Sequence, residues 1–573
     1  MAHIETNQQK PPAKKLIFAG LLFAFILMLS SVFMLIYPFA SKEKAPYFKG
    51  ENPILFEGKQ QGNALIEGEA VYLPLSFLNG FIDENIIFDE KSQSIIIATK
   101  HKVVQMPSES LTYYVNEKPV ELHFNVFKQN REEKYLAIEP LLTYYPITYS
   151  ILPDSGTVWV QKDGEELAAG KVADKKIHEE MLRLRTDASL QSTYTASVSP
   201  KEEILVEDVK EDYYFVRKKD GTAGYLNKEY IVKGKTEHVS IALEEEVKPV
   251  PRIEGPIQLT WEAVYSHNPN TSQIPKMPGV NVVSPTWFEL SKEDGSIKNR
   301  GSIEFSRWAQ QQGYQVWGLF SNAFDPVLTH EAFQSFETRQ NMIRQLLHFS
   351  KLYELNGINL DIENVNPGDG PLITQFVREA TPYFHEAGLI VSMDITFISS
   401  SGNWSAFYER DELAEIADYM VVMAYDEHWG SSPVAGSVAS IPWVEENLKN
   451  LLEVVPNEKL ILGVPLYARL WEQKQSGEVS SKALSMNKVK EWLSENKINP
   501  AYDHASGQNY AEHYSEEDQT TYRIWLEDEL SLKKRADLAR KYKLAGVASW
   551  SRYFADESAW TALSLGDEQV TKK

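Results

Sequence analysis

Between residues 257 and 565 the chain repeats one pattern eight times, a short apolar run followed by an amphipathic stretch. The runs are IQLTWEAVY, VNVVSPTWF, YQVWGLFS, GINLDIENV, LIVSMDITF, YMVVMAY, LILGVPLYA and AGVASWS. Stretches such as ETRQNMIRQLLHFSKLYEL and LSLKKRADLARKYKL lie between them. Apolar strands separated by helices call for a parallel sheet covered on its faces by those helices. Eight such units fit a (β/α)8 barrel with insertions. A doubly wound open sheet is the alternative, but it wants a glycine-rich loop after its first strand, and EAVYSHNPN is not one.

The fourth run, in LNGINLDIENVNP (355–367), carries Asn359, Asp361 and Glu363 at every second position. Side chains alternate faces along a strand, so these three share one face while Ile358, Leu360 and Ile362 share the other. A barrel of this kind holds its active site at the C-terminal strand ends. Polar residues gather there: Tyr425 and Asp426 on the sixth run, Tyr467 and Arg469 on the seventh, Trp550 closing the eighth. A buried unpaired carboxylate is costly. One could be structural, but an Asp and a Glu two positions apart beside Tyr and Trp favour function.

Composition narrows the partners. The net charge of −22 on 573 residues, with no long basic run beyond the extreme N-terminus, argues against nucleic acid. There is no cysteine, hence no disulfide, thiolate metal site or cysteine nucleophile. No HExxH, G-x-S-x-G, P-loop or calcium-loop motif occurs, and neither metal nor cofactor is expected.

At the strand ends the chain resembles the family-18 glycoside hydrolases. Their fourth-strand signature, acidic-Gly-x-acidic-x-Asp-x-Glu, reads here Asn356, Gly357, Ile358, Asn359, Leu360, Asp361, Ile362, Glu363. MAYDEHW, GVPLYAR and WLEDELSLKKRADLARKYKLAGVASW support it in the right order. Asn356 and Asn359 depart from the pattern, standing where many members have Asp. The resemblance implies a substrate-assisted retaining mechanism. In it Glu363 is the general acid and base, and Asp361 orients the substrate's acetamido group and stabilises the oxazolinium intermediate. Tyr425 holds the acetamido oxygen. Asn359, Asp426 and Met423 support them, with Asn359 holding Asp361 in place. Trp550 floors the sugar site, and Tyr467, Arg469 and Trp429 are further candidate contacts, with an outer salt bridge as the alternative for Arg469. Trp261, Trp287, Trp317, Trp404 and Trp471 are platform candidates too, although a single tryptophan is more often core. Residues 472–526, too long for an ordinary βα connection, read as an α+β insertion walling a cleft for a polymer.

The fold expected is multidomain, with this TIM barrel (257–565) preceded by two small β-rich domains and a transmembrane helix. Residues 1–15 read as a cytoplasmic N-terminus and 16–37, uncharged and preceded by Lys10, Lys14 and Lys15, as a membrane anchor with its N-terminus inside. A cleaved signal peptide is the rival, disfavoured by the length of the apolar run and the poor cleavage site in YPFASKEK. Residues 52–163 alternate β runs and turns and resemble a copper amine oxidase N-terminal-like stalk, without a copper site. Residues 181–232, with the turn KKDGTAGYL, resemble a bacterial SH3-like domain, and 233–256 read as a linker.

Together these features predict a membrane-anchored glycosidase on the exterior of a Gram-positive type of bacterial cell. Its expected substrate is a β-1,4-linked N-acetylglucosamine polysaccharide, peptidoglycan before chitin. A wall-binding lectin and a membrane sensor or scaffold are the readings from other classes.

Overall fold

The computed structural model describes residues 13–36, 40–243 and 252–566. Most of the expected cytoplasmic N-terminus, the last position of the anchor and the middle of the expected linker (244–251) lie outside the described residues. The chain divides into two units, Met1–Glu84 with Phe124–Glu245, and Asn85–His123 with Glu246–Lys573. The β-rich segment expected over 52–163 is therefore shared between them.

In the first unit, helix α1 (Ala13–Ile36) covers most of the expected anchor. Its described side chains, 17–33, are exposed throughout. Among the described residues no helix is long and apolar enough to cross a membrane. Two four-stranded sheets follow, one built on Pro53–Phe56 and Thr157–Lys162, the other on Ala70–Pro74 and Glu133–Ala137. A seven-stranded sheet holds the segment 181–232 and extends beyond it, taking in Glu166–Val172 and Ile231–His238. Its core is Leu182, Leu184, Val198, Ile204, Val216 and Leu226. The Asp220–Gly221 turn closes through Asp220 Oδ1, which accepts from the Thr222 N–H at 2.9 Å.

The second unit is built on eight parallel strands: β1 (Ile257–Glu262), β2 (Val282–Pro285), β3 (Gln315–Ser321), β4 (Gly357–Asp361), β5 (Ile390–Ile395), β6 (Tyr419–Met423), β7 (Leu460–Pro465) and β8 (Gly546–Trp550). Each pairs with the next, and β8 returns to β1 through Gly546 opposite Ile257, closing a barrel. Closure needs glycine at two crowded points. A Cβ on Gly546 would lie 2.0 Å from the Ile257 carbonyl oxygen, and one on Gly357 would lie 2.8 Å from both Ile390 O and the Trp317 ring.

The alternation in β4 sorts its side chains into two layers. Ile358, Leu360 and Ile362 join the outer core, packed with Phe376, Val377 and Ala380 of the surrounding helices. The inner core is Leu259, Trp261, Trp317, Leu319, Val421, Ile461 and Ala548. Between β7 and β8 an α+β insertion forms a five-stranded antiparallel sheet from Tyr467 to Trp525 with one helix, Met486–Glu495. It has a core of its own around Leu470, Val489 and Ile524.

Residues 85–123 belong to this unit as a five-stranded antiparallel meander, Ile87–Asp89 to Lys118–Glu121. Asn116 and Glu117, both at positive φ, form a two-residue hairpin between Val115 and Lys118. Ile96, Ala98 and Val103 join the outer core of the barrel. Asp89 caps helix α2 (Phe336–Leu352), its Oδ2 accepting the Phe336 N–H at 2.8 Å. The same carboxylate faces Arg339, whose guanidinium is held bidentately by Glu379 of helix α3 (Gly370–Glu386) at 2.8 and 2.9 Å. All three groups are buried.

Candidate active site

A cleft of about 390 Å³ opens at the C-terminal ends of the barrel strands. Asp361, Glu363, Met423, Tyr425, Asp426, Tyr467 and Trp550 line it together, with Trp261 and Asp394 beside them. Five acids border it, Glu289, Asp361, Glu363, Asp394 and Asp426, and among the lining residues Arg300 is the one fixed cation.

The backbone leaving β4 is held from two sides. Asn322 takes the Glu363 N–H on its Oδ1 at 3.1 Å and donates its Nδ2 to the Glu363 carbonyl at 2.7 Å and to Thr329 Oγ1 at 2.8 Å. The Tyr408 hydroxyl donates to the Ile362 carbonyl at 2.8 Å. These contacts aim Asp361 and Glu363 into the cleft as a fixed pair. Neither Asn322 nor Tyr408 is legible as a site residue in sequence, because each reaches the acids only through backbone atoms at the end of β4.

Burial raises both carboxyl groups. Asp361 is pushed up to about 7 by loss of solvent, opposed by a hydrogen bond with Glu363. Glu363 is raised well above the usual carboxylate range by burial, then by the negative charge of Asp361, Asp394 and Asp426. Of the two, Glu363 is pushed further toward its protonated form, since neighbouring acids add to the effect of burial there. Asp361 Oδ1 is a buried acceptor to which no described residue donates a hydrogen bond.

Asn359 does not hold Asp361, contrary to the expectation from its place in the pattern. Its Oδ1 accepts from the Trp261 indole N–H at 2.9 Å and from Ser284 Oγ at 3.0 Å, and its Nδ2 donates to Asp394 Oδ1 at 2.7 Å. The amide thus bridges β1 and β2 to β5 behind the cleft. Asp394 escaped the sequence reading; its one signal was a lone acid in the apolar run LIVSMDITF. Asn356 sits at the opposite end of β4, where its Oδ1 accepts the Val316 N–H at 3.0 Å. That is a strand-pairing role remote from chemistry.

Asp426 receives the Tyr467 hydroxyl at 2.7 Å and the Arg469 guanidinium at 3.1 Å. Arg469 thus meets the site through Asp426 and is not itself a lining group. Tyr425 is raised well above the ordinary tyrosine range by burial first, so its phenol stays a hydrogen-bond donor. Trp550 stands with its ring centroid 6.0 Å from that of Trp261. Trp429 does not join them: it is 53% exposed on the loop after β6 and lies outside the cleft lining. Trp287, Trp317 and Trp471 are fully buried core, the last donating to the Gly436 carbonyl, and Trp404 is exposed.

Residues 313–555 match the model of "Glycosyl hydrolases family 18". This stretch is a family-18 glycoside hydrolase domain. The geometric barrel begins earlier than the match, at Ile257, so Trp261 and Ser284, which hold Asn359, lie before it. Among the relatives of the hydrolase domain is the "Uncharacterized glycosylase YvbX" of Bacillus subtilis, 26% identical over 50% of this chain and 85% of that one. The "Cortical fragment-lytic enzyme" of Bacillus subtilis is 23% identical over 44% of this chain. The chain spans only 58% of that enzyme, and 56% of a "Putative sporulation-specific glycosylase YdhD" from the same organism. Among solved structures, the spore cortex-lytic enzyme SleL of Bacillus megaterium shares the fold with a TM-score of 0.50 at 20% identity, over 58% of this chain and 77% of that one.

Proposed function

We propose that the protein hydrolyses β-1,4-linked N-acetylglucosamine glycans of the peptidoglycan type by a substrate-assisted retaining mechanism. One observation carries this reading: a buried carboxylate oxygen on Asp361, to which no described residue donates, lies beside Glu363, whose carboxyl group burial and three neighbouring acids raise well above the usual range. An acetamido N–H is the donor that the Asp361 oxygen lacks.

Glu363 gives its proton to the glycosidic oxygen as the bond to the anomeric carbon breaks. The substrate's own acetamido carbonyl oxygen closes on that carbon from the other face, and Asp361 holds the acetamido N–H and places negative charge beside the oxazolinium. The Tyr425 phenol donates to the acetamido oxygen. Glu363, now ionised, takes a proton from the water that reopens the ring, and the product keeps its configuration. Trp550 offers the flat apolar surface on which a sugar ring stacks.

Peptidoglycan is favoured over chitin by the relatives named for cortical fragments. We further assign α1 as a membrane anchor from its uncharged run over 16–36, which follows Lys14 and Lys15, and from its exposed apolar side chains, and the small β-rich sheets, which resemble stalk and SH3-like modules, as the spacer between membrane and wall. The test incubates the full chain and Glu363→Gln with purified peptidoglycan and with chitin oligosaccharides, reading released fragments by mass spectrometry. New reducing N-acetylglucosamine ends from peptidoglycan, lost at least about 1000-fold in the variant, are expected. Fragments from chitin alone would move the substrate, and binding with no release would replace the hydrolase reading by a lectin.

A further inference from the structure

We propose that Asp394 is the positioning carboxylate of this site: acting through Asn359, it supplies from β5 the negative charge that β4 lacks at position 359. The inference rests on the hydrolase reading and adds to it a residue outside the β4 pattern.

The geometry is a chain of contacts that ends on Asp394. Trp261 and Ser284 both donate to Asn359 Oδ1, which fixes the amide so that its Nδ2 can only point away from them, toward Asp394 Oδ1 at 2.7 Å. The orientation is forced, because an amide with its oxygen engaged by two donors has nothing left to offer on that side. Asn359 is fully buried and Asp394 is 1% exposed, yet Asp394 still borders the cleft alongside Asp361 and Glu363. An acid so placed costs free energy unless its charge is used or neutralised.

Apart from Arg300, the charged groups that border the cleft around Asp394 are acids. Asp361 and Glu363 face it from β4, and Tyr425 and Asp426 from beyond β6. Tyr408, after β5, feels its charge and that of both β4 acids. Tyr467 follows β7, bonded to Asp426. Arg410, on the short helix after β5, is engaged by the carbonyls of Thr396 and Phe397 and by Ser405 Oγ. Three carboxyl groups in one buried cluster cannot all ionise, so they titrate as a set. Asp394 has a fixed N–H donor from Asn359, whereas Asp361 Oδ1 has none among the described residues. Burial and the charge of Asp361 raise Asp394, the hydrogen bond from Asn359 opposes that rise, and the negative charge of Asp394 in turn raises Glu363 and favours the proton there.

The experiment measures pH–rate profiles of the full chain with 4-nitrophenyl diacetylchitobioside for wild type, Asp394→Asn, and the exchange Asn359→Asp/Asp394→Asn. Removing a negative neighbour lowers the pKa of an acid, so in Asp394→Asn the alkaline limb of kcat/KM moves to lower pH by about one unit. Its kcat falls about tenfold or more while KM stays within about twofold. The exchange restores the charge on β4, where Trp261, Ser284 and the amide introduced on β5 all donate to it. It returns the limb to its wild-type position and kcat to within about threefold. An unshifted limb in Asp394→Asn, or an exchange no faster than that single variant, overturns the proposal. A wild type that turns over neither this probe nor peptidoglycan would instead defeat the hydrolase reading. The proposal is then judged by thermal unfolding against pH, where superimposable curves for wild type and Asp394→Asn overturn it and a changed slope, reversed in the exchange, upholds it.

Discussion

At the scale of single residues, the site is held in an electrostatic state that folding alone would not choose. Asp361, Glu363 and Asp394 are all raised by burial, so the native state binds protons that the unfolded chain has already released. Stability attached to these groups is complete below the ordinary carboxylate range and is lost as pH climbs toward the folded values. Glu363→Gln removes one of them. It should unfold at higher temperature than wild type at pH 8, by an amount worth about 1–3 kcal/mol. The difference should shrink to nothing near pH 4, as differential scanning fluorimetry across that range would record. The rate should follow a bell: Asp361 gains its proton below about pH 7, and Glu363 loses its own at higher pH. The period-two spacing made Asp361 and Glu363 visible in sequence, because strand geometry alone puts them on one face. Asp394 was invisible for the opposite reason. It is a single acid on a separate strand, brought to Asn359 only when the barrel closes. Trp429 misled because the path of a loop decides whether a ring meets the cleft or solvent.

Among the elements, buried ion pairs fasten pieces of chain that local sequence gives no reason to join. Arg339 on α2 is shared by Glu379 of α3 and Asp89 of the small meander, all out of water. Removing one partner of such a set strands the others, at a cost of about 3–5 kcal/mol. Arg339→Met should lower the denaturant midpoint accordingly, while Glu379→Gln/Arg339→Met, which removes the stranded charge, should recover part of the loss. Chemical denaturation of the two variants against wild type reads this directly. Arg535 and Glu527 make a second buried pair, at 2.6 Å, where the α+β insertion returns to the barrel through helix α4 (Glu529–Lys541). The eight strands and the insertion were legible from apolar runs and connection length. These pairs were not, because an Arg on an amphipathic helix reads as surface until its partner is placed.

For the molecule as a whole, residues 85–123 matter most. In sequence they sit within one β-rich segment, yet they fold with the barrel, covering apolar groups of the outer core and capping α2. A fragment beginning at residue 252 would expose that face and leave the α2 N-terminus without its carboxylate. It should melt several degrees below the full chain and aggregate on heating, and a separate 85–123 peptide added to it should raise the melting temperature. Periodicity cannot reveal such an exchange of material, since each strand of the meander looks like its neighbours in the same segment.

The cap that Asp89 provides also bears on how a chain like this can be recombined. The chain passes between its two units at 84–85, 123–124 and 245–246. No single breakpoint yields an intact hydrolase module: a swap joined only at the linker inherits a barrel with one wall missing. Donor and recipient must be spliced at three points, or carry matching versions of both parts, so the hydrolase unit and the β-rich unit travel as a linked pair.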